Sequence, residues 1–335
     1  MRIVVDDKIP YIREAIAQMA DEVVYLPGSA ITANDVRDAD ALIVRTRTRC
    51  DKRLLDGSRV QFIATATIGF DHIDTQYCRE SGIQWTNCPG CNAGSVAQYL
   101  RSSLLLLHQE RGLLFSESTL GVVGVGHVGT LVAEVGKELG MQVLLCDPPR
   151  AERGEQGFLP LEELMRRADV ISFHTPLVRD GYYPTLHMAD EAFFYALTRK
   201  PIIINTSRGE GVDGKALSAA LDDGRVRDAV IDVWENEPDI DIHLLERVYL
   251  GTPHIAGYSA DGKANATRMV LKALCRHFGI KKQISITPLP IPVDVDPANP
   301  LSLYDPRKDS QRLKDNPDKF ESLRGNYPLR RERIG

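Results

Sequence analysis

An arginine, a glutamate and a histidine stand in three short segments of the second half of the chain. They are Asn205-Thr-Ser-Arg-Gly209, Asp232-Val-Trp-Glu-Asn-Glu-Pro238 and Gly251-Thr-Pro-His-Ile-Ala-Gly257. The segments lie at or just after predicted strands, and loops at the carboxyl ends of parallel strands are where α/β folds collect reactive groups. Arg208 can grip a carboxylate in a bidentate fork and polarise the adjacent oxygen, which the point charge of a lysine does poorly. His254 can exchange a hydroxyl proton near neutral pH. Glu237 can hydrogen-bond the far imidazole nitrogen, fix the tautomer and raise its pKa. Together they suit reversible oxidation of a 2-hydroxy acid, with the hydride leaving for a nicotinamide and no nucleophile or metal required. Singly, each residue type is common in turns; their joint occurrence downstream of a nucleotide signature gives them weight.

That signature is Thr119-Leu-Gly-Val-Val-Gly-Val-Gly-His-Val-Gly129, followed eighteen residues later by Asp147. The apolar β-branched run predicts a strand buried on both faces. Gly124, Gly126 and Gly129 then supply a tight turn, close backbone approach to a pyrophosphate, and close helix–strand packing. A helical pattern from Thr130 to Leu139 offers free N–H groups to phosphate. The next strand, Met141–Cys146, delivers Asp147 to a position where it can accept hydrogen bonds from a ribose 2′-hydroxyl. The carboxylate would repel a 2′-phosphate, so NAD is expected over NADP, a preference softened slightly by Arg150 and Arg153 nearby.

The elements that must hold these groups follow a strand–helix rhythm. Strands are predicted at Ile3–Val5, Val23–Leu26, Ala41–Val44, Phe62–Thr65 and Gln84–Thr86, with helices at Ile12–Met19, Asn34–Asp38, Lys52–Leu55 and Asp71–Ser81. Such alternation means a parallel sheet covered on both faces. Asn92 can cap a long helix, Ala93–Glu110. From Leu120 the rhythm repeats, with strands near Val122 and Val143 and at Val170–Phe173, Ile202–Asn205 and Ala229–Val233, before a long helix, Ala260–Phe278. The expected fold is α/β, two doubly wound parallel-sheet domains with an interdomain cleft and a short C-terminal extension. The boundaries read 1–92, completed by 258–281; 93–257; and 282–335. Eight of the 19 prolines fall between Pro288 and Pro328, so the extension is expected to be extended or irregular and to clasp a partner subunit.

Composition narrows the class. At 335 residues the chain is long enough for two real cores, and its 43% hydrophobic and 26% charged content is that of a water-soluble globular protein. A net charge of −5 argues against a nucleic-acid partner. No apolar stretch reaches signal-peptide or membrane-spanning length, so a cytoplasmic protein without membrane contact is expected. Of six cysteines, only Cys88-Pro-Gly-Cys91 makes a CxxC, and it lacks the second pair that zinc would need. It reads as a turn, and no metal is expected.

From about Phe62 to Gly279 the chain resembles the D-isomer-specific 2-hydroxyacid dehydrogenases. The resemblance is carried by Ile68-Gly-Phe-Asp-His-Ile-Asp74, the glycine fingerprint, His174-Thr-Pro-Leu177, the Arg-Gly and Glu-Pro segments, and Pro253-His254. It implies a catalytic trio of Arg208, Glu237 and His254. It also implies cofactor contacts at Gly124, Gly126, His127, Val128, Gly129, Asp147, Thr175, Thr206, Ser207, Asp232 (near the nicotinamide amide) and Gly257. Within the family, Thr65–Gly69, Pro89–Ala93, Cys146–Arg150, Asp180–His187 and His254–Tyr258 are similar to members acting on a small phosphorylated 2-hydroxy acid. A homodimer formed through the C-terminal extension is likewise implied, with Phe320–Glu332 as part of it and with the extension shorter than in many members.

A phosphorylated substrate needs a dianion site. Arg45-Thr-Arg-Thr-Arg49 follows the third predicted strand, so Arg45 and Thr46 could reach such a substrate, with Thr67 and Tyr258 as hydroxyl donors from other loops. Arg47 and Arg49 would share a face with Arg45 only if the strand continued; otherwise they form a solvated basic edge. Two other functions stay open on residues alone. One is the same chemistry on another small acid, such as phosphoglycerate, glycerate or glyoxylate. The other is a nucleotide-sensing interaction protein, since nucleotide binding needs only the glycine loop and Asp147.

Overall fold

The computed structural model describes residues 1–17 and 19–332; Gln18, inside the expected first helix, and 333–335, the end of the expected extension, lie outside the described residues. The chain divides into two compact units, Met1–Asn92 with Ser259–Pro290, and Ala93–Tyr258 with Ile291–Gly335.

The first unit is built on five parallel strands: β1 (Arg2–Asp6), β2 (Glu22–Leu26), β3 (Ala41–Val44), β4 (Phe62–Thr65) and β5 (Gln84–Thr86), in the order β2-β1-β3-β4-β5. Side chains alternate strictly across this sheet. Ile3, Val5, Ala41, Ile43, Phe62 and Ala64 enter one core, which includes Val270, Leu271 and Leu274 of the helix Ala260–Phe278. Val4, Leu42, Val44 and Ile63 enter the core on the other face. The continuous apolar runs in the sequence therefore reflect burial on both faces.

The second unit has six parallel strands: β6 (Thr119–Val123), β7 (Gln142–Cys146), β8 (Val170–Phe173), β9 (Ile202–Asn205), β10 (Asp228–Ile231) and β11 (Leu250–Gly251). Their order is β11-β10-β9-β8-β6-β7. From β6 the chain goes to β7 on one side and then to β8 on the other. This reversal opens a crevice beyond the carboxyl ends of β6 and β8, the place where such sheets bind ligands. Leu120, Val122, Val170, Ile202, Ile204 and Val230 pack to one side, Val123, Ile171, Phe173, Ile203 and Ile231 to the other.

Three expectations need correction, and one open alternative is decided. The helix after the glycine loop begins at His127, not Thr130, with Gly126 at its N-cap, so its first free N–H groups lie in the loop itself. Asn92 does not cap the helix Ala93–Arg111, because its Oδ1 is buried without a hydrogen-bond partner. β3 stops at Val44 and residues 45–48 turn, closed by Thr48 N donating to Arg45 O, so the three arginines do not share a strand face. The C-terminal extension is helical over Pro300–Leu303, Pro306–Asp315 and Phe320–Gly325. Its prolines start helices: Asn299 and Asp305 accept from Leu301 N and Arg307 N, and the proline after each cap sits where an N–H would have no partner anyway. Leu313 and Phe320 are buried in the core of their own unit rather than held out for a partner.

Cys88 and Cys91 form the expected turn, with Gly90 at φ 75°. Both are buried and in no disulfide, and burial pushes the Cys88 thiol up to about 12.

Candidate active site

The three glycines of the fingerprint have separate reasons. Gly124 has φ 85°, and a Cβ there would lie 2.8 Å from the backbone of His174. At Gly129 a Cβ would collide with the carbonyl oxygen of Gly124. A Cβ on Gly126 would meet nothing within 4 Å, so the loop surface is bare where a pyrophosphate would approach. His127 is exposed and Val128 half-buried beside it, on the first turn of a helix running His127–Glu138. Asp147, at the end of β7, accepts from Val125 N at 2.8 Å through Oδ2 and caps the next helix through Oδ1. The carboxylate is thereby locked against the glycine loop. Arg150 pairs with Glu155 and donates to Val125 O, so it closes the same corner.

Across the crevice, β8 ends in His174 and Thr175, and β9 in Thr206 and Ser207. Burial holds the His174 imidazole neutral, with its pKa pushed down to about 3. Its Nε2 lies 2.8 Å from Ser172 Oγ and its Nδ1 3.5 Å from Thr206 Oγ1. Thr175 Oγ1 donates to Met188 Sδ. Asn205 organises the following loop: its Oδ1 accepts from the Ser207 amide and hydroxyl, while its Nδ2 donates to Arg208 O. Nothing in the sequence singled out Asn205, although an asparagine closing an apolar strand is the residue type that ties down such a turn.

Asp232, Glu237 and His254 follow β10 and β11. Asp232 follows β10 and is fully buried. Its carboxylate accepts from Thr252 Oγ1 at 2.6 Å, Ile255 N at 2.8 Å and Ala256 N at 2.9 Å, and its carbonyl accepts from His254 N. Burial raises its pKa against these bonds. With three donors from its own chain, this side chain braces the loop that carries His254. Tyr99 extends the brace, its hydroxyl lying 2.8 Å from Thr252 Oγ1. His254 itself sits at φ 56°, a strained region for a side chain with Cβ, and the loop bonds keep it there.

Glu237 and His254, 17 residues apart in sequence, meet: Glu237 Oε2 lies 2.8 Å from His254 Nδ1, while Oε1 accepts from Trp234 N at 3.0 Å. Burial pushes the Glu237 carboxyl up, but the hydrogen bond and charge of His254, with Arg324 beyond, outweigh it and leave the pKa below the ordinary glutamate value. The Nδ1 contact leaves Nε2 as the nitrogen able to work on a substrate. Arg208, one strand over, is exposed and donates from Nη1 to Ser207 O. Among the described residues no hydrogen bond joins it to the His–Glu pair. Tyr258 and Gly257 close the loop, with Tyr258 N donating to Ile255 O.

In the first unit, Arg45 and Thr46 stand beyond β3, and Thr67 beyond its neighbour β4. Arg45 donates to Lys8 O, Arg49 pairs with Asp51, and Thr67 Oγ1 bonds Thr65 Oγ1 at 2.6 Å and Gly69 O. Adjacent strand ends thus present a cation and two hydroxyls.

Two arginines of the extension escaped sequence reasoning. Arg324 Nη1 lies 3.6 Å from Glu237 Oε2. The buried Arg330 donates to the carbonyls of Ile255, Ala256 and Ser95 and to Gln98 Oε1, with its guanidinium 4.0 Å over the Tyr304 ring. Both lie in a proline-rich, charged stretch without periodicity, so no local signal marks them.

Comparison with known proteins places the chain in a family. Residues 96–256 match the family described as D-isomer specific 2-hydroxyacid dehydrogenase, NAD binding domain. The chain is 59% identical to an erythronate-4-phosphate dehydrogenase of Bacteroides fragilis, over 99% of this chain and 97% of that one. It is 42% identical to the enzyme of the same name from Escherichia coli, over 99% and 92%. It therefore spans nearly the whole length of these relatives. A D-lactate dehydrogenase from Aquifex aeolicus, solved with NAD and lactic acid, superposes with a TM-score of 0.65 at 26% identity, covering 84% of this chain and 96% of that one. No helix among the described residues is long and apolar enough to cross a membrane.

Proposed function

Because the chain belongs to the D-isomer specific 2-hydroxyacid dehydrogenases, we propose that it oxidises 4-phospho-D-erythronate to (3R)-3-hydroxy-2-oxo-4-phosphooxybutanoate, a step of pyridoxal phosphate biosynthesis. The single observation that carries the chemistry is the His254–Glu237 pair at 2.8 Å, held by the Asp232-braced loop. The name shared by relatives at 59% and 42% identity carries the choice of substrate.

The glycine loop, the amides of the helix starting at His127, and Asp147 fit a dinucleotide, with Thr175, Thr206, Ser207 and Gly257 along the same strand ends. NAD, when bound, supplies the hydride acceptor. His254 Nε2 takes the proton of the substrate 2-hydroxyl, and Glu237 stabilises the imidazolium that results. Arg208 swings from its own backbone to hold the substrate carboxylate by two of its guanidinium nitrogens. Arg45, Thr46, Thr67 and Tyr258 are the proposed contacts to the rest of the substrate. The first unit is proposed to be a substrate-binding unit, and the extension to form a homodimer in the cytoplasm, whose oligomeric state sedimentation of the full chain would test.

The experiment is turnover of 4-phospho-D-erythronate by the purified chain, followed both as NADH and as 2-oxo product, with free NAD and with a 2-oxo acid acceptor. Product from the phosphorylated acid but not from erythronate supports the reading. Turnover confined to phosphoglycerate or glyoxylate would replace the substrate and leave the trio in place. His254→Ala with unchanged turnover at saturating substrate would overturn the mechanism.

A further inference from the structure

Glu237 Oε2 is shared. His254 Nδ1 lies 2.8 Å from it, and Arg324 Nη1 lies 3.6 Å from the same atom. Arg324 sits on the helix Phe320–Gly325 of the C-terminal extension, and its side chain is 30% exposed, comparable with the 28% of His254. Two tie points keep that helix in place. Phe320 is buried in the core of the unit, and Arg330 is anchored to the carbonyls of Ile255 and Ala256, directly after His254. The Tyr258 hydroxyl bonds Arg324 as well, and its ring stands edge-on to Tyr327 at 6.3 Å. Glu321 lies 4.0 Å away on the open side, 56% exposed, and competes weakly.

We propose that Arg324 is a positioning residue for the proton-transfer pair: it fixes the Glu237 carboxylate and offsets part of its negative charge at His254. The inference rests on the acid/base reading of His254. A carboxylate alone favours the imidazolium. A group that must both take and return a proton works best when neither form is strongly favoured. Because both nitrogens contact one oxygen, at 2.8 and 3.6 Å, they are at most about 6.4 Å apart. At that separation, two unit charges in a half-exposed site shift a titration by roughly 0.5–1 pH unit. The other titratable or charged groups facing His254 and Arg324 are Asp232 behind the loop, Tyr258 and Glu321, and all stay in place when only residue 324 changes.

The test is an NMR titration of the His254 imidazole in the full chain with isotope-labelled histidine, without substrate. Arg324→Met should raise the midpoint by roughly 0.5–1 unit and move the acid limb of kcat/KM upward equally. Arg324→Lys, which keeps the charge, should stay near the wild type. A folded Arg324→Met protein that titrates like the wild type overturns the proposal. If that variant does not fold, Arg324→Gln must show the same upward shift, and its absence overturns the proposal equally. The titration needs no turnover, so wild-type activity judges the functional reading separately.

Discussion

Replacing Glu237 by Gln keeps the side-chain shape and one acceptor oxygen for His254 while removing the charge. Oε2 lies 2.8 Å from His254 Nδ1, Oε1 is engaged by Trp234 N, and the carboxylate is only 17% exposed, so water screens the contact incompletely. The folded-state pKa of Glu237 is depressed, so the stability it contributes is present above its unfolded value and is lost as pH falls through the folded one. The Glu237 carboxylate is therefore ionised throughout the range in which a histidine titrates. A hydrogen bond to a charged group contributes about 1.5–3 kcal/mol, or roughly 1–2 pKa units. In Glu237→Gln the imidazolium loses that stabilisation. In the oxidation direction, where neutral His254 accepts a proton, the acid limb of kcat/KM should move down by about 1–2 pH units. The plateau should fall roughly 10–100-fold, because the imidazolium forming in the transition state loses the same stabilisation. In reduction at neutral pH the loss is larger, since less of the histidine is protonated at the start. Initial rates in both directions from about pH 5 to about pH 9 report all three quantities. A folded variant with an unmoved acid limb and a plateau within about twofold of wild type would refute the pairing as the acid/base device. Arg324→Met should move the limb the other way, so the two variants bracket the wild type.

Asp147→Asn retains an acceptor for Val125 N but not the charge; NAD affinity should fall about tenfold and discrimination against NADP should narrow, as measured by calorimetric titration of both nucleotides. Arg330→Met takes a guanidinium donor from the buried carbonyls of Ala256 and Ser95 and from Ile255 O, which keeps its bond from Tyr258 N; urea unfolding should show a loss of about 2–5 kcal/mol, and a loss below about 0.5 kcal/mol would rule out its role as the brace of the His254 loop.

The strands that position the chemistry were legible because burial on both faces demands continuous apolar runs: Ala41–Val44, Phe62–Thr65, Val170–Phe173 and Ile202–Asn205 match the structure residue for residue. β11 was missed because two residues, Leu250–Gly251, are too few to show a period. The extension was misread because proline breaks a helix in its interior but begins one after an Asn or Asp cap. Asn299-Pro300 and Asp305-Pro306 are the second case.

Local chemistry and spacing determined the nucleotide fingerprint, Asp147 at the end of the next strand, and the identity of Arg208, Glu237 and His254, because each obeys a short-range rule of turns, strand ends or side-chain reactivity. Only the tertiary structure decided which groups share an atom. Glu237 Oε2 is contacted by His254 and by Arg324, 87 residues further along the chain, and Asp232 is committed to holding the loop that carries His254. Such contacts depend on how distant segments pack, and no pattern within a single segment encodes them.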